Sequence, residues 1–287
     1  MKLVRHGAKG RERPGILDAE GRVRDLSDHV ADIAGETLLP ESLARLSRLD
    51  LRALPLIEGI PQADLRLGPC VGQVGKFVAI GLNYADHAAE TGAQIPTEPI
   101  IFNKWTSSIS GPDDDVELPR GSTKTDWEVE LGVVIGRGGK YIEAMDALDH
   151  VAGYCVVNDI SEREWQAERG GTWDKGKGFD TFGPIGPWLV TADEIADPGA
   201  LALWLEVDGR RRQDGSTATM IFGVAEIVAY ASRCMSLQPG DVITTGTPPG
   251  VGMGMKPPRF LKAGDIMRLG IEGLGEQKQV VSAHRPV

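Results

Sequence analysis

The chain has 287 residues, 41% of them hydrophobic and 25% charged, a globular composition large enough for one sizeable core plus a smaller appended unit. Its formal net charge of -10 argues against nucleic acid or an anionic membrane as the main partner, since both reward clustered Lys and Arg. An anionic small substrate stays compatible, because a bound cation inverts the local field.

Met1 to Gly7 contains no apolar signal region, and no later run approaches the ~18 apolar residues of a membrane span, so a cytoplasmic location is expected. The three cysteines, Cys70, Cys155 and Cys234, are widely spaced and read as buried small hydrophobes, not as a disulfide framework or zinc site.

Residues 1–72 read as a small α+β unit. Lys2 to Arg5, Pro14 to Leu17 and Arg22 to Leu26 are short extended candidates, with a turn over Asp18 to Gly21. Ser42 to Leu49 has helical apolar spacing, and Pro55 to Pro69 reads as a connector. From residue 73 to the end the texture is β-rich. Short apolar runs punctuated by Gly and Pro occur at Phe77 to Gly81, Ile100 to Asn103, Glu128 to Ile135, Val151 to Asn158, Ile185 to Val190, Leu201 to Val207, Val242 to Thr245 and Ile266 to Ile271. Helical patterns are few: Asn83 to Thr91, Tyr141 to Leu148 and Val224 to Met235. The segment Gly246 to Gly254 is too rich in Gly and Pro to be regular, lacks the phosphate-loop pattern, and offers amides that could hold an anion.

The stretch Asp126-Trp-Glu-Val-Glu-Leu-Gly-Val-Val-Ile135 sets two acids in an otherwise core-like strand. Alternation along a strand places Glu128 and Glu130 on one face about 7 Å apart, with Val129 and Leu131 facing the other way. A partly buried carboxylate pair of this kind is relieved by a hard divalent cation; a solvated acidic face would show the same spacing. Asp159, directly after another apolar run, supplies a third carboxylate, and an all-oxygen set favours Mg²⁺, Mn²⁺ or Ca²⁺ over zinc; a turn-forming Asn158–Asp159 pair would show the same spacing. In the segment Asn83 to Glu90, with Asn83 as helix cap, His87 and Glu90 fall three apart on one helical face, a spacing that suits a water-activating dyad and equally an incidental surface pair. The Gly-rich segment Trp173 to Pro184 carries Lys175, Lys177 and Asp180; a lysine beside carboxylates and a cation would stabilise an anionic substrate or enolate, whereas a lysine in a Gly-rich loop is ordinarily just solvated.

Taken together and in order, these motifs resemble the fumarylacetoacetate hydrolase superfamily from about Gly75 to the C-terminus. The matching segments are Gly81 to His87 with Glu90, Asp126 to Leu131, Asn158 to Arg163 with Gln166, Lys177 to Thr181, Gln213 to Thr217 leading to Met220-Ile-Phe222, and Thr244 to Gly252. The N-terminal segments Arg11 to Asp18 and Arg24 to Ser27 look like the ureidoglycolate lyase-like subgroup, which also contains 2,4-diketo-3-deoxy-sugar acid hydrolases.

The resemblance implies a mixed α/β, β-rich chain: a β-roll catalytic domain over 73–287 with the small N-terminal domain before it, working as a homodimer. It implies Glu128, Glu130 and Asp159 as ligands of Mg²⁺ (or Mn²⁺) and His87 with Glu90 as the water-activating dyad on a lid. Lys177 would face an enolate, Arg163, Gln166 and Thr247 would contact substrate, and Thr181 would lie beside the metal. No tyrosine stands between Gln166 and Lys177, where larger hydrolases of the family carry one, which disfavours fumarylacetoacetate itself. The reaction so implied is hydrolysis of a C–C bond in a 2,4-diketo acid to pyruvate and a second acid, with 2,4-diketo-3-deoxy-L-rhamnonate or L-fuconate as preferred substrate. Ureidoglycolate cleavage, and isomerisation or decarboxylation of a 2-oxo acid, would use the same platform. A β-domain that only binds a cation or carbohydrate is the reading from another class, disfavoured by the intact His87, Glu90 and Lys177.

Overall fold

A computed structural model describes residues 1–57 and 64–284; the middle of the connector expected over Pro55 to Pro69 lies outside the described residues. The strand Val129–Ile135 is buried along its whole length and organises the rest. Its odd-numbered residues Val129, Leu131, Val133 and Ile135 pack in one core with Leu203, Leu205, Val207, Met267, Leu269 and Ile271. The even-numbered Val134 packs in a second core with Leu3, Ile16, Cys155, Val157 and Val242. Period-two alternation thus gives one strand two different layers.

The larger sheet is mixed and has ten strands. Across it run Val23–Asp25, Arg13–Leu17, Lys2–His6, Gly183–Thr191, Val151–Asn158, Val129–Ile135, Val242–Thr244, Phe77–Gly81 and Ile100–Lys104, while Ile109–Ser110 pairs with Gly183–Thr191 off this path. The N-terminal strands therefore extend the same sheet, through Lys2 and Leu3 opposite Val190 and Leu189. A five-stranded sheet, Arg210–Ser216, Ala202–Val207, Ile266–Ile271, Gly275–Ser282 and Val116–Glu117, covers the odd-numbered face. The helix Val224–Cys234 closes that core with Val224, Ile227, Val228 and Ala231. Among the described residues no helix is long and apolar enough to cross a membrane.

Two expectations are corrected. Tyr141 to Leu148 is not a helix: Tyr141 adopts φ +55, and a 3-10 turn forms only at Ala147–His150. The amide of Ile142 donates to the Ser232 hydroxyl (2.8 Å); Ile142 and Ala147 reach the core while Tyr141, Met145 and Leu148 are exposed, so the apolar residues do not share one buried helical face. Cys70 and Cys155 are buried free thiols as expected, whereas Cys234 is exposed.

Candidate active site

The site forms at the N-terminal end of the strand Val129–Ile135, on its even-numbered face. Val157 pairs with Glu130 across the antiparallel ladder, and the Asp159 amide donates to the Glu128 carbonyl (2.8 Å), so the ladder continues far enough to set Asp159 beside Glu128 on the same face. Glu128, Glu130 and Asp159 are all buried, and one oxygen from each lies within 4.8 Å of the others.

Three cationic side chains surround this triad. Lys177, on the short helix Asp174–Lys177, donates to Glu128 Oε2 (2.6 Å) and Asp159 Oδ2 (2.7 Å). Arg163 donates to Glu128 Oε1 (2.6 Å), Asp126 Oδ2 (2.9 Å) and Gln166 Oε1 (2.9 Å). Lys104 donates to Asp159 Oδ1 (2.6 Å), the Ile160 carbonyl (3.3 Å) and the Lys177 carbonyl. Glu130 has no such partner among the described residues; its Oε2 accepts from the Thr244 hydroxyl and the Gly246 amide (2.8 Å).

That asymmetry shows in the acidities. Burial, then the charges of Asp159 and Glu128, push the Glu130 carboxyl well above the carboxylate range. Glu128 feels the same burial, yet Lys177 and then Arg163 hold it well below that range. Burial also works against the Lys177 ammonium, but Asp159 and Glu128 raise it above the ordinary lysine value. Lys104 goes the other way, lowered chiefly by burial although Asp159 supports its charge. Three oxygen donors at this spacing, one of them a carboxylate without a cationic partner, fit a hard divalent cation and not a soft metal, which would require thiolate or imidazole.

The dyad sits on the helix Ala85–Thr91. His87 Nδ1 lies 3.0 Å from Glu90 Oε2, His87 is buried, and it lines the same cleft as the triad. Asn83 does not cap this helix; its amide instead bridges the Thr245 carbonyl (2.8 Å) and the Phe222 amide (2.9 Å), anchoring the helix to the roll. The amides of the Gly-rich segment do hold anions, and those anions are the protein's own carboxylates. Gly246 serves Glu130, Gly250 serves Glu90 (3.0 Å), and Gly252 and Met253 serve Asp126 (2.7 and 3.0 Å). One loop thus fixes a triad member, the dyad and the residue that orients Arg163.

The cleft above the triad is about 210 Å³ and is lined by His87, Glu128, Glu130, Asp159, Arg163, Gln166, Lys177 and Thr247 among the expected site residues. Thr247 reaches it with a committed hydroxyl, which donates to the Val129 carbonyl (2.9 Å) and accepts from Gln213 (2.8 Å). Thr181 is not among the lining residues; it adopts φ +68 and accepts from the Glu117 amide (2.9 Å) beside a separate surface cavity.

Three contributors were not assigned a role from sequence: Lys104, Asp126 and Gln213. Lys104→Met would leave Asp159 short of a buried partner, and a loss of about 3–5 kcal/mol in unfolding free energy is expected. Urea denaturation reads it; a loss below about 1 kcal/mol would show that Asp159 does not depend on Lys104.

A strand-rich roll with buried carboxylates at its mouth, ringed by lysine and arginine and faced by a His–Glu dyad, forms a candidate enzyme cleft. Residues 76–282 match the model for the fumarylacetoacetate (FAA) hydrolase C-terminal family, and the chain belongs to that family. A relative from Burkholderia multivorans, provisionally named a hydrolase, is 67% identical over 286 residues, covering 99% of this chain and 100% of its own. Among solved structures, fumarylacetoacetate hydrolase from Exiguobacterium antarcticum is 36% identical with TM-score 0.85, covering 99% of this chain and 100% of that one. Maleylpyruvate hydrolase from Sphingobium sp. SYK-6, in complex with manganese(II) and pyruvate, is 29% identical with TM-score 0.80 over 99% and 100% of the two chains. A 2-hydroxyhepta-2,4-diene-1,7-dioate isomerase from Mycobacterium marinum is 31% identical with TM-score 0.76 over 100% of both chains.

Proposed function

We propose that this protein hydrolyses the C3–C4 bond of a 2,4-diketo acid, releasing pyruvate and a second carboxylic acid. The observation that carries the reading is the buried carboxylate triad with Lys177 on one side and His87, paired with Glu90, lining the same cleft. The manganese and pyruvate in the maleylpyruvate hydrolase complex support it. Glu128, Glu130 and Asp159 would hold Mg²⁺ or Mn²⁺, which when bound supplies Lewis-acid polarisation of the 2-oxo acid head.

The residues of the chain divide the remaining work. With a proton on Nδ1 donated to Glu90, the Nε2 of His87 acts as base toward water, and the resulting hydroxide adds to the C4 carbonyl. The Gly250 amide holds Glu90 in that orientation. The C3–C4 bond breaks, its electron pair passes into the enolate of pyruvate, and the C4 fragment leaves as a carboxylic acid. Lys177, kept charged by Asp159 and Glu128, faces the enolate oxygen until the proton held by His87 returns to C3. Arg163 and Gln166 border the head group on the far side of Glu128.

Isomerisation is the second reading, favoured by the Mycobacterium marinum neighbour. Turnover of benzoylpyruvate in ¹⁸O-water separates the two. The hydrolase reading expects one ¹⁸O in the benzoate carboxyl and none introduced by cleavage into the pyruvate carboxylate; an isomer of unchanged mass, or loss of carbon dioxide, would contradict it. The subgroup resemblance points further, to 2,4-diketo-3-deoxy-L-rhamnonate or L-fuconate, and the cleft walls bear on that choice.

A further inference from the structure

Beside the triad, part of the cleft lining has a different chemistry. Its walls are Leu82, Ala93, Phe102, Trp173 and Met253. The aromatic part is built, not incidental. Phe102 and Trp173 meet edge to face with centroids 5.4 Å apart, and the Trp173 ring occupies the space a side chain on Gly81 would need, since a Cβ there would lie 2.3 Å from Cζ3. Phe102 also lies under the Lys177 ammonium, 5.3 Å from centroid to Nζ, which ties the apolar wall to the head-group end.

Among the described residues, no Lys or Arg other than Arg163 and Lys177 lines the cleft. The two cations that line the cleft, Arg163 and Lys177, belong to the triad end, and each is already paired there: Arg163 with Asp126 and Glu128, Lys177 with Glu128 and Asp159. Of the wall residues Leu82, Ala93, Phe102, Trp173 and Met253, only Trp173 carries a side-chain hydrogen-bond donor, a single indole N–H. A second carboxylate or a run of hydroxyls seated on this wall would lose water and meet at most that one side-chain donor, a cost of ~1–3 kcal/mol per buried polar group left unpaired on mutational scales.

We infer that the substituent on C4 of the substrate is apolar, an alkyl or aryl group seated on Leu82, Phe102, Trp173 and Met253, and neither a dicarboxylate tail nor a polyhydroxylated one. This deepens the proposed function and rests on its 2-oxo acid head. It runs against the sugar-acid substrates that the subgroup resemblance suggests.

The test is calorimetric binding, in Mg²⁺, of 2-oxo acids that lack the 4-oxo group and are not cleaved. Pyruvate, 2-oxohexanoate and phenylpyruvate are compared with 2-oxoadipate and 2-keto-3-deoxygluconate. The expected result is a gain over pyruvate of up to about fourfold per added methylene in the apolar series, with 2-oxohexanoate and phenylpyruvate at least about tenfold tighter than 2-oxoadipate and the polyol. Trp173→Ala should cut the ratio of phenylpyruvate to pyruvate affinity about tenfold, and Met253→Arg should shift the ratio toward 2-oxoadipate. Binding of 2-oxoadipate or the polyol as tightly as phenylpyruvate, with pyruvate also bound, overturns the tail assignment and leaves the hydrolase reading standing. Failure of pyruvate itself to bind removes the head-group reading, and this inference with it.

Discussion

His87→Ala is expected to lower kcat for pyruvate release by about 10²- to 10⁴-fold, the range one positioned acid–base group supplies, while Mn²⁺ affinity stays within about twofold of the parent. His87 is buried against Glu90 and lines the cleft, but it is not one of the three residues whose oxygens converge, so chemistry and cation binding should separate in this variant. Glu90→Gln gives a graded companion: the amide oxygen can still accept from Gly250, yet it no longer pairs with an imidazolium. Its kcat should fall less than that of His87→Ala. Stopped-flow pyruvate detection with Mn²⁺ titration by electron paramagnetic resonance reads both quantities. A His87→Ala rate within about tenfold of the parent would assign water activation elsewhere.

Glu130→Gln is expected to remove cation binding without weakening the fold. Glu130 is the triad member whose described partners are neutral, a hydroxyl and an amide, and whose neighbours Asp159 and Glu128 push its acidity the wrong way for an anion. Gln keeps the shape and an acceptor oxygen for Thr244 and Gly246, and it lacks the carboxylate charge that a bound cation would call on. In the parent, Mg²⁺ at one hundred times its dissociation constant should add about 2.7 kcal/mol of stability; in Glu130→Gln that increment should vanish, and activity with it. Glu128→Gln should behave differently, because it strips a partner from Lys177 and Arg163 and so costs stability even without metal. Thermal melts with and without Mg²⁺ distinguish the two patterns. An undiminished Mg²⁺ increment in Glu130→Gln would exclude it as a ligand.

The residues most legible from sequence were those whose relationship is local. Glu128 and Glu130 share a face because strands alternate, His87 and Glu90 because helices turn, and neither fact needs tertiary information. Asp159 stood out because an acid closed an apolar run, and the register of Val151–Asn158 against Val129–Ile135 then brought it beside Glu128. Lys104 stayed hidden because a lysine ending a strand ordinarily points to water, and its partners Asp159, Ile160 and Lys177 lie far along the chain. Asp126 was quoted as part of a motif, but its grip on Arg163 spans 37 residues and its grip on the amides of Gly252 and Met253 needs a loop more than a hundred residues away.

The same physics explains the strands that were missed. Gly275–Ser282 does alternate, but its buried face carries Gln277 and Gln279, which donate to the Val156 carbonyl (2.7 Å) and the Pro112 carbonyl, so hydropathy gave no sign of it. Arg210–Ser216 is an edge strand rich in arginine, and its pairing with Ala202–Val207 draws on backbone hydrogen bonds that composition does not encode. The helix expected over Tyr141 to Leu148 erred in the other direction: its apolar period was present, but the core takes only Ile142 and Ala147 and leaves Tyr141, Met145 and Leu148 exposed.

The central claim is cation-dependent cleavage of a 2,4-diketo acid at the triad, and steady-state pyruvate release from acetylpyruvate and benzoylpyruvate tests it most directly. With Mg²⁺ present, the account predicts pyruvate and the partner acid in 1:1 ratio, abolished by chelator and restored by Mg²⁺ or Mn²⁺. Cleavage that survives complete chelation, or glyoxylate from ureidoglycolate with no pyruvate from any diketo acid, would contradict it.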